Sequence, residues 1–166
     1  VRFVGTVRSH KMLEVCRARV RDALPHRPGI EFATYEAGTG PIPDRFDMCI
    51  GNSVLHHILD YRSFLAEVRR SLKPGGMAVF WEPNAVFLDA LARSIADALC
   101  NMIAWQSLSV DENVLALTRL VTDIRIRLSG PDNVAELEDK YIFTRETLVD
   151  DGRGAGFSRT EVLPDS

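Results

Sequence analysis

His56 and His57 are adjacent imidazoles in the segment Gly51-Asn52-Ser53-Val54-Leu55-His56-His57, which follows a short apolar run. Histidine titrates near neutrality, so either ring could take a proton from a hydroxyl or an amine. The same two residues also read as histidines that cap or pack beneath the next helix. Glu82 closes a second apolar run, Met77 to Trp81, and Asn52 stands at the end of the first. Glu82 reads either as a group that holds a ligand or as a cap for the following helix, and Asn52 either as a ligand contact or as a turn residue. Cys16, Cys49 and Cys100 are odd in number and widely spaced, with no CxxC pair. They read as buried thiols in a reducing compartment, with no disulfide and no zinc signature. No metal site is signalled.

The elements that position these residues follow from apolar spacing. Phe46 to Ile50 is a short apolar run bounded by turn residues, as in a strand buried on both faces. Asp60 can cap a helix whose apolar positions are Phe64, Leu65, Val68 and Leu72. Lys73-Pro74-Gly75-Gly76 stops it, and Met77 to Trp81 is the next strand. Strand, helix and strand in this order form a βαβ unit with parallel strands. Ligands of an open parallel sheet collect beyond the strands' carboxyl ends, here Gly51 to His57 and Glu82 to Asn84.

Before this unit, Val1 to Val7 is a strand candidate, and Ser9 can cap a helix running to about Leu24. Pro25 to Gly29 breaks that helix, Ile30 to Tyr35 is another strand, and a Gly/Pro loop leads to Asp44. After it come two long helical patterns. One runs from Ala85 to about Leu108 and is apolar over most of its circumference; the other starts near Asp111 and ends before Ser129-Gly130-Pro131-Asp132-Asn133. Thr144 is an N-cap with Glu146 in the first turn, and Phe157 to Leu163 reads as a last strand. Met12, Met48 and Met77 read as core filling, as does Trp81.

At 166 residues the chain is one domain's worth, without repeats or linkers. A net charge of −3 with mixed signs leaves no electrostatic footprint for nucleic acid or an anionic membrane. No signal peptide or spanning segment is visible, so a cytoplasmic location is expected.

The segments FDMCIGNSVLHHILD and FLAEVRRSLKPGGMAVFWEP resemble the class I S-adenosylmethionine-dependent methyltransferases, in particular their small-molecule group. Val4 to Val15 looks like that family's second strand and following helix. Tyr141 to Glu146, running on to Phe157, looks like its penultimate helix and the strand after it. The resemblance implies a Rossmann-like, doubly wound, mostly parallel α/β sheet with helices on both faces. Residues 85–140 would be a helical lid inserted after the fifth family strand, within a single partial domain. The family's first strand with its glycine-rich loop would precede Val1, and its last strand would follow Ser166, so the chain reads as a fragment.

The resemblance places Gly5, Glu36, Ala37, Gly51 and Asn52 around S-adenosylmethionine, with Glu36 accepting from the adenine amino group. It places Asn52, His56 and Glu82 towards a small-molecule acceptor, and His56 or His57 as a base. Val7 stands where the family usually carries the acid that bridges the ribose hydroxyls, and valine has no acceptor for them. Transfer to an O, N or C atom is the activity implied. The alternatives are a degenerate, non-catalytic binding module and a nicotinamide-dependent oxidoreductase. The second is disfavoured by the absence of GxGxxG.

Overall fold

A computed structural model describes residues 2–24, 29–40, 45–104, 110–130 and 134–163. They fall into two compact units, Val1–Gly40 and Pro41–Ser166.

In the first unit, β1 (Phe3–Val7) pairs in parallel with β2 (Ile30–Thr34), joined by the helix α1 (His10–Ala23). Ser9 occupies the N-cap position as expected, but its side chain makes no capping bond. Leu13 is the one buried residue of this helix. The helix break expected at Pro25 to Gly29 lies almost wholly outside the described residues, as does the end of the loop leading to Asp44.

The second unit opens with β3 (Phe46–Asn52), α2 (Tyr61–Ser71) and β4 (Leu72–Trp81). β3 and β4 are parallel, as the βαβ reading requires. Asp60 caps α2 by accepting from the Ser63 amide. Leu65 and Val68 are buried on its inner face, and Tyr61 with them.

Two boundaries differ from expectation. β3 runs on through Gly51 and Asn52, because both pair with Phe80 and Trp81. β4 starts at Leu72 instead of Met77, so Lys73-Pro74-Gly75-Gly76 ends the helix yet remains within the strand. The register jumps there, from Phe46 opposite Leu72 to Met48 opposite Met77. Gly75 absorbs the extra residues with a φ of 77°, a conformation that glycine adopts without steric cost.

The β3–β4 sheet is covered on one face. Phe80 packs on a cluster of Leu55, Tyr61, Leu65 and Phe143. On the opposite face Met48, Ile50, Met77 and Trp81 are all exposed, Ile50 by 63%. The expectation of a strand buried on both faces, and of Met48, Met77 and Trp81 as core, is therefore corrected. Alternation sends these residues to the face away from α2. Met12, on α1, is exposed as well.

α3 (Ala85–Ala104) and α4 (Glu112–Leu128) follow, close to the two spans read from the periodicity; the expected end of the first at Leu108 is outside the described residues. Asn84 caps α3 by accepting from Val86 and Phe87, and Asp111 caps α4. The two helices meet around Ala92, Val121 and Ile124, with Ile142 against them. Ile142 and Phe143, adjacent in sequence, thus serve different clusters. Phe143 also bridges Asn84 in parallel.

Thr144 caps α5 (Arg145–Gly154), with Glu146 in its first turn, both as expected. α5 is tied to α2 through Asp151, which accepts from the Tyr61 hydroxyl at 2.5 Å and from Arg62 Nε at 2.7 Å. Burial, then the bond to Asp151, pushes the Tyr61 hydroxyl well above its ordinary 10.0.

Residues 157–163 form no strand, contrary to expectation. Strand composition is not sufficient by itself, and among the described residues no backbone pairs with this segment as a ladder. Cys16, Cys49 and Cys100 are free; the first two are half-buried and Cys100 is exposed, which corrects the reading of three buried thiols. Among the described residues no helix is long and apolar enough to cross a membrane.

Candidate functional site

The carboxyl ends of β3 and β4 converge on one side chain. Glu82, the residue after β4, is only 2% exposed at its side chain. Its Oε1 accepts from the amides of Val54 and Leu55 at 2.9 and 2.8 Å. Its Oε2 lies 2.7 Å from His56 Nδ1, with a longer approach of 3.4 Å from the His56 amide. Leu55–His57 is a single 3₁₀ turn. The first amides of such a turn have no partner within it, and a carboxylate placed there satisfies them and suits the local dipole. Glu82 therefore caps the turn that precedes it by a whole βαβ crossover. It does not cap the following helix, a role taken by Asn84.

The turn is entered through a strained residue. Ser53 has a φ of 53°, the only positive φ of a non-glycine among the described residues, and its amide donates to the Trp81 carbonyl at 2.8 Å. The turn geometry thus falls on Ser53, one residue after Asn52. Asn52 stays extended at the end of β3, opposite Trp81, and is exposed.

The two histidines separate in environment. His56 is 6% exposed at its side chain, whereas His57 is 45% exposed. Their rings lie 4.1 Å apart, tilted by 44°. Both face Asp139, a residue that the sequence did not single out. Its Oδ1 is 3.7 Å from His56 Nε2 and 3.4 Å from His57 Nδ1. His57 Nδ1 is also 3.1 Å from the Glu138 carbonyl. Asp139 is held in place from two sides: Arg127 Nη1 donates to its Oδ2 at 3.1 Å, and the next amide, Lys140, donates to the His56 carbonyl at 2.6 Å. Nothing periodic marks Asp139. Its one signal is membership of the acidic pair Glu138-Asp139 just before Tyr141.

The glycines singled out by the resemblance have a packing reason to be glycine. A Cβ on Gly51 would come within 2.5 Å of the Phe80 ring, its partner across the sheet. A Cβ on Gly5 would come within 2.7 Å of the Phe32 ring, its partner across β1–β2. Neither glycine needs a ligand to explain it. In the first unit Glu36 is exposed beyond β2, its carbonyl accepting from the Thr39 amide and hydroxyl, and Ala37 follows in the same turn. Gly51, Asn52, His56, His57 and Glu82 share one unit, while Gly5, Glu36 and Ala37 belong to the other.

Residues 1–80 match the family described as a methyltransferase domain. A 37.1 kDa uncharacterized protein of transposon TN4556 from Streptomyces fradiae is 31% identical over 131 residues, covering 76% of this chain. The chain spans only 31% of that relative's length. Among solved structures, PKMT2 from Rickettsia typhi in complex with AdoHcy aligns over 93% of this chain and 34% of its own, at a TM-score of 0.55 and 13% identity. An S-adenosylmethionine-dependent methyltransferase from Mesorhizobium loti is 28% identical over 52% of this chain and 38% of its own, at a TM-score of 0.44. The Rickettsia alignment places the chain in the Rossmann-like α/β class. The matched segment runs from β1 almost to the end of β4, so residues 1–80 are similar to a methyltransferase domain across both βαβ units.

Proposed function

We propose that the protein transfers a methyl group from S-adenosylmethionine to an O, N or C atom of a small-molecule acceptor, in the cytoplasm. One observation carries this reading: the methyltransferase-domain match contains the end of β3 and the Leu55–His57 turn, which Glu82, two residues past the matched segment, caps. In parallel sheets such strand ends are where ligands bind.

S-Adenosylmethionine, when bound, supplies a methyl group on a positively charged sulfur. The residues present fit it in part. Glu36 has an exposed carboxylate suited to the adenine amino group, and Ala37 beside it leaves room for a ring. Asn52 offers an exposed amide at the end of β3 for the amino-acid end of the cofactor or for the acceptor. Gly5 and Gly51 offer backbone only, since phenylalanine rings fill the space their side chains leave. Val7 supplies no acceptor for ribose hydroxyls, and that observation favours the second reading, a methyltransferase-like module that binds without turnover.

Methyl transfer is an in-line displacement, so the protein's contribution is chiefly alignment and exclusion of water. Glu82 keeps His56 in one orientation and holds the turn closed. His57, the more exposed ring, is placed to take a proton from an acceptor hydroxyl or amine. Phe87 and Ile103, exposed on α3, and Leu115 and Leu120 on α4 would favour a lipophilic or aromatic acceptor.

Calorimetric titration of S-adenosylhomocysteine into the full-length protein tests this reading. Saturable binding that is lost in Glu36→Ala supports it. No binding by a folded protein overturns it.

A further inference from the structure

We propose that His56, His57 and Asp139 form a binding site for a divalent transition metal ion. The inference does not rest on methyl transfer.

His56 Nδ1 faces the buried Glu82 carboxylate at 2.7 Å, so Nδ1 carries the proton that is donated. In the neutral ring this leaves the lone pair on Nε2. That lone pair looks at Asp139 Oδ1 from 3.7 Å, and His57 Nδ1 approaches the same oxygen at 3.4 Å. These separations exceed the roughly 2.7–3.2 Å of an N–H···O hydrogen bond. A proton shared between the groups would draw them closer.

The spacing suits a larger cation. Metal–ligand bonds of about 2.0–2.1 Å in a tetrahedral site put neighbouring donor atoms about 3.3–3.4 Å apart. His57 Nδ1 and Asp139 Oδ1 stand at that spacing and His56 Nε2 slightly beyond it, so binding would draw the two imidazoles together around the ion. Two imidazoles and one carboxylate are the donors of zinc, cobalt, nickel or iron; calcium and magnesium take oxygen.

The surroundings are those of a supported site. Glu82 orients the first imidazole through its remote nitrogen, the arrangement that fixes ligating histidines. Arg127 occupies Asp139 Oδ2 and leaves Oδ1 for the ion. The Lys140 amide, bonded to the His56 carbonyl, locks the two ligand-bearing segments together. His57 would give up its 3.1 Å contact with the Glu138 carbonyl to present its lone pair. Three protein ligands leave a coordination position for water or for an oxygen of a substrate.

The test uses the full-length protein stripped with chelator, titrated with Zn²⁺ by calorimetry and with Co²⁺ by visible absorption. One equivalent should bind, with Co²⁺ giving the intense d–d bands of a tetrahedral or five-coordinate site. Asp139→Asn and His57→Gln should each weaken Zn²⁺ binding at least tenfold; His57→Gln should leave the melting temperature of the metal-free protein unchanged, whereas Asp139→Asn should lower it through the Arg127 pair. Glu82→Gln should weaken it by about tenfold to a hundredfold, as removal of an orienting partner does. The absence of saturable binding overturns the site. So does binding that Asp139→Asn and His57→Gln leave unaltered, which would place the ion elsewhere. Titrating S-adenosylhomocysteine into the same metal-free samples separates this outcome from failure of the methyltransferase reading.

Discussion

β1–α1–β2 and β3–α2–β4 are built on the same plan and filled differently. Each is a parallel strand pair bridged by one helix, and each sets a glycine of its first strand opposite a phenylalanine of its second. In both, the aromatic ring lies where the glycine's side chain would be. The helices then diverge. α1 buries Leu13 and has an N-cap serine whose side chain makes no capping bond, whereas α2 buries Tyr61, Leu65 and Val68 and is capped by the Asp60 side chain. The strand ends diverge further. β2 runs out into an exposed turn at Glu36 and Ala37, while β4 runs into a buried carboxylate that gathers the amides and imidazole of the loop after β3. The shared plan is satisfied by pairing and close packing alone. What distinguishes the second copy is one acid placed where the amides of an earlier turn lack acceptors.

The sharpest way to break the contrast is Glu82→Ala. It removes the acceptor of the Val54 and Leu55 amides and of the buried His56 ring, and a donor left without its partner in this way costs about 1–3 kcal/mol. Urea unfolding followed by circular dichroism should show that loss. A cost below about 1 kcal/mol would mean that the turn does not depend on Glu82.

The paired glycines sharpen the comparison at smaller scale. Gly51→Ala must displace Phe80, which packs on the Leu55–Tyr61 cluster, and overpacking of this kind costs about 1–3 kcal/mol. Gly5→Ala displaces Phe32, which has no place in either buried cluster among the described residues and can swing outward. Thermal melts of the two variants should rank Gly51→Ala as the more damaging; equal shifts would contradict the difference in filling.

The caps give the smallest effect. Ser9→Ala should leave the melting temperature unchanged, whereas Asp60→Ala should lower it. The bonds from Ser63 hold the Asp60 carboxyl below its ordinary 3.8. A carboxylate whose folded value is depressed contributes stability that is complete above the unfolded value and lost as pH falls through the folded one. The Asp60→Ala deficit should therefore be full at neutral pH and vanish at pH below the ordinary carboxylate range. A deficit that persists there would assign the effect to something other than the charged cap.

Local order was legible because it is periodic. The apolar spacing of Phe64, Leu65 and Val68 marked α2, and the proline and glycines after Leu72 marked its end. Thr144 and Asp111 marked helix starts, for the plain reason that a side-chain oxygen there meets free amides. The candidate site, at the ends of the Met48- and Met77-bearing strands, was likewise read from the parallel crossover.

Tertiary structure decided what each residue faces. Glu82 could be read as a ligand group or a helix cap; the packing made it the cap of a turn that precedes it in sequence. Asp139 entered the site because α4 and the segment after it return to the histidines, and long-range pairing leaves no period to read. The strand expected at Phe157 failed, and Met48, Ile50 and Trp81 lie open, for one reason. A strand's composition specifies an extended backbone, but only its neighbours determine whether its ladder is completed and its faces covered.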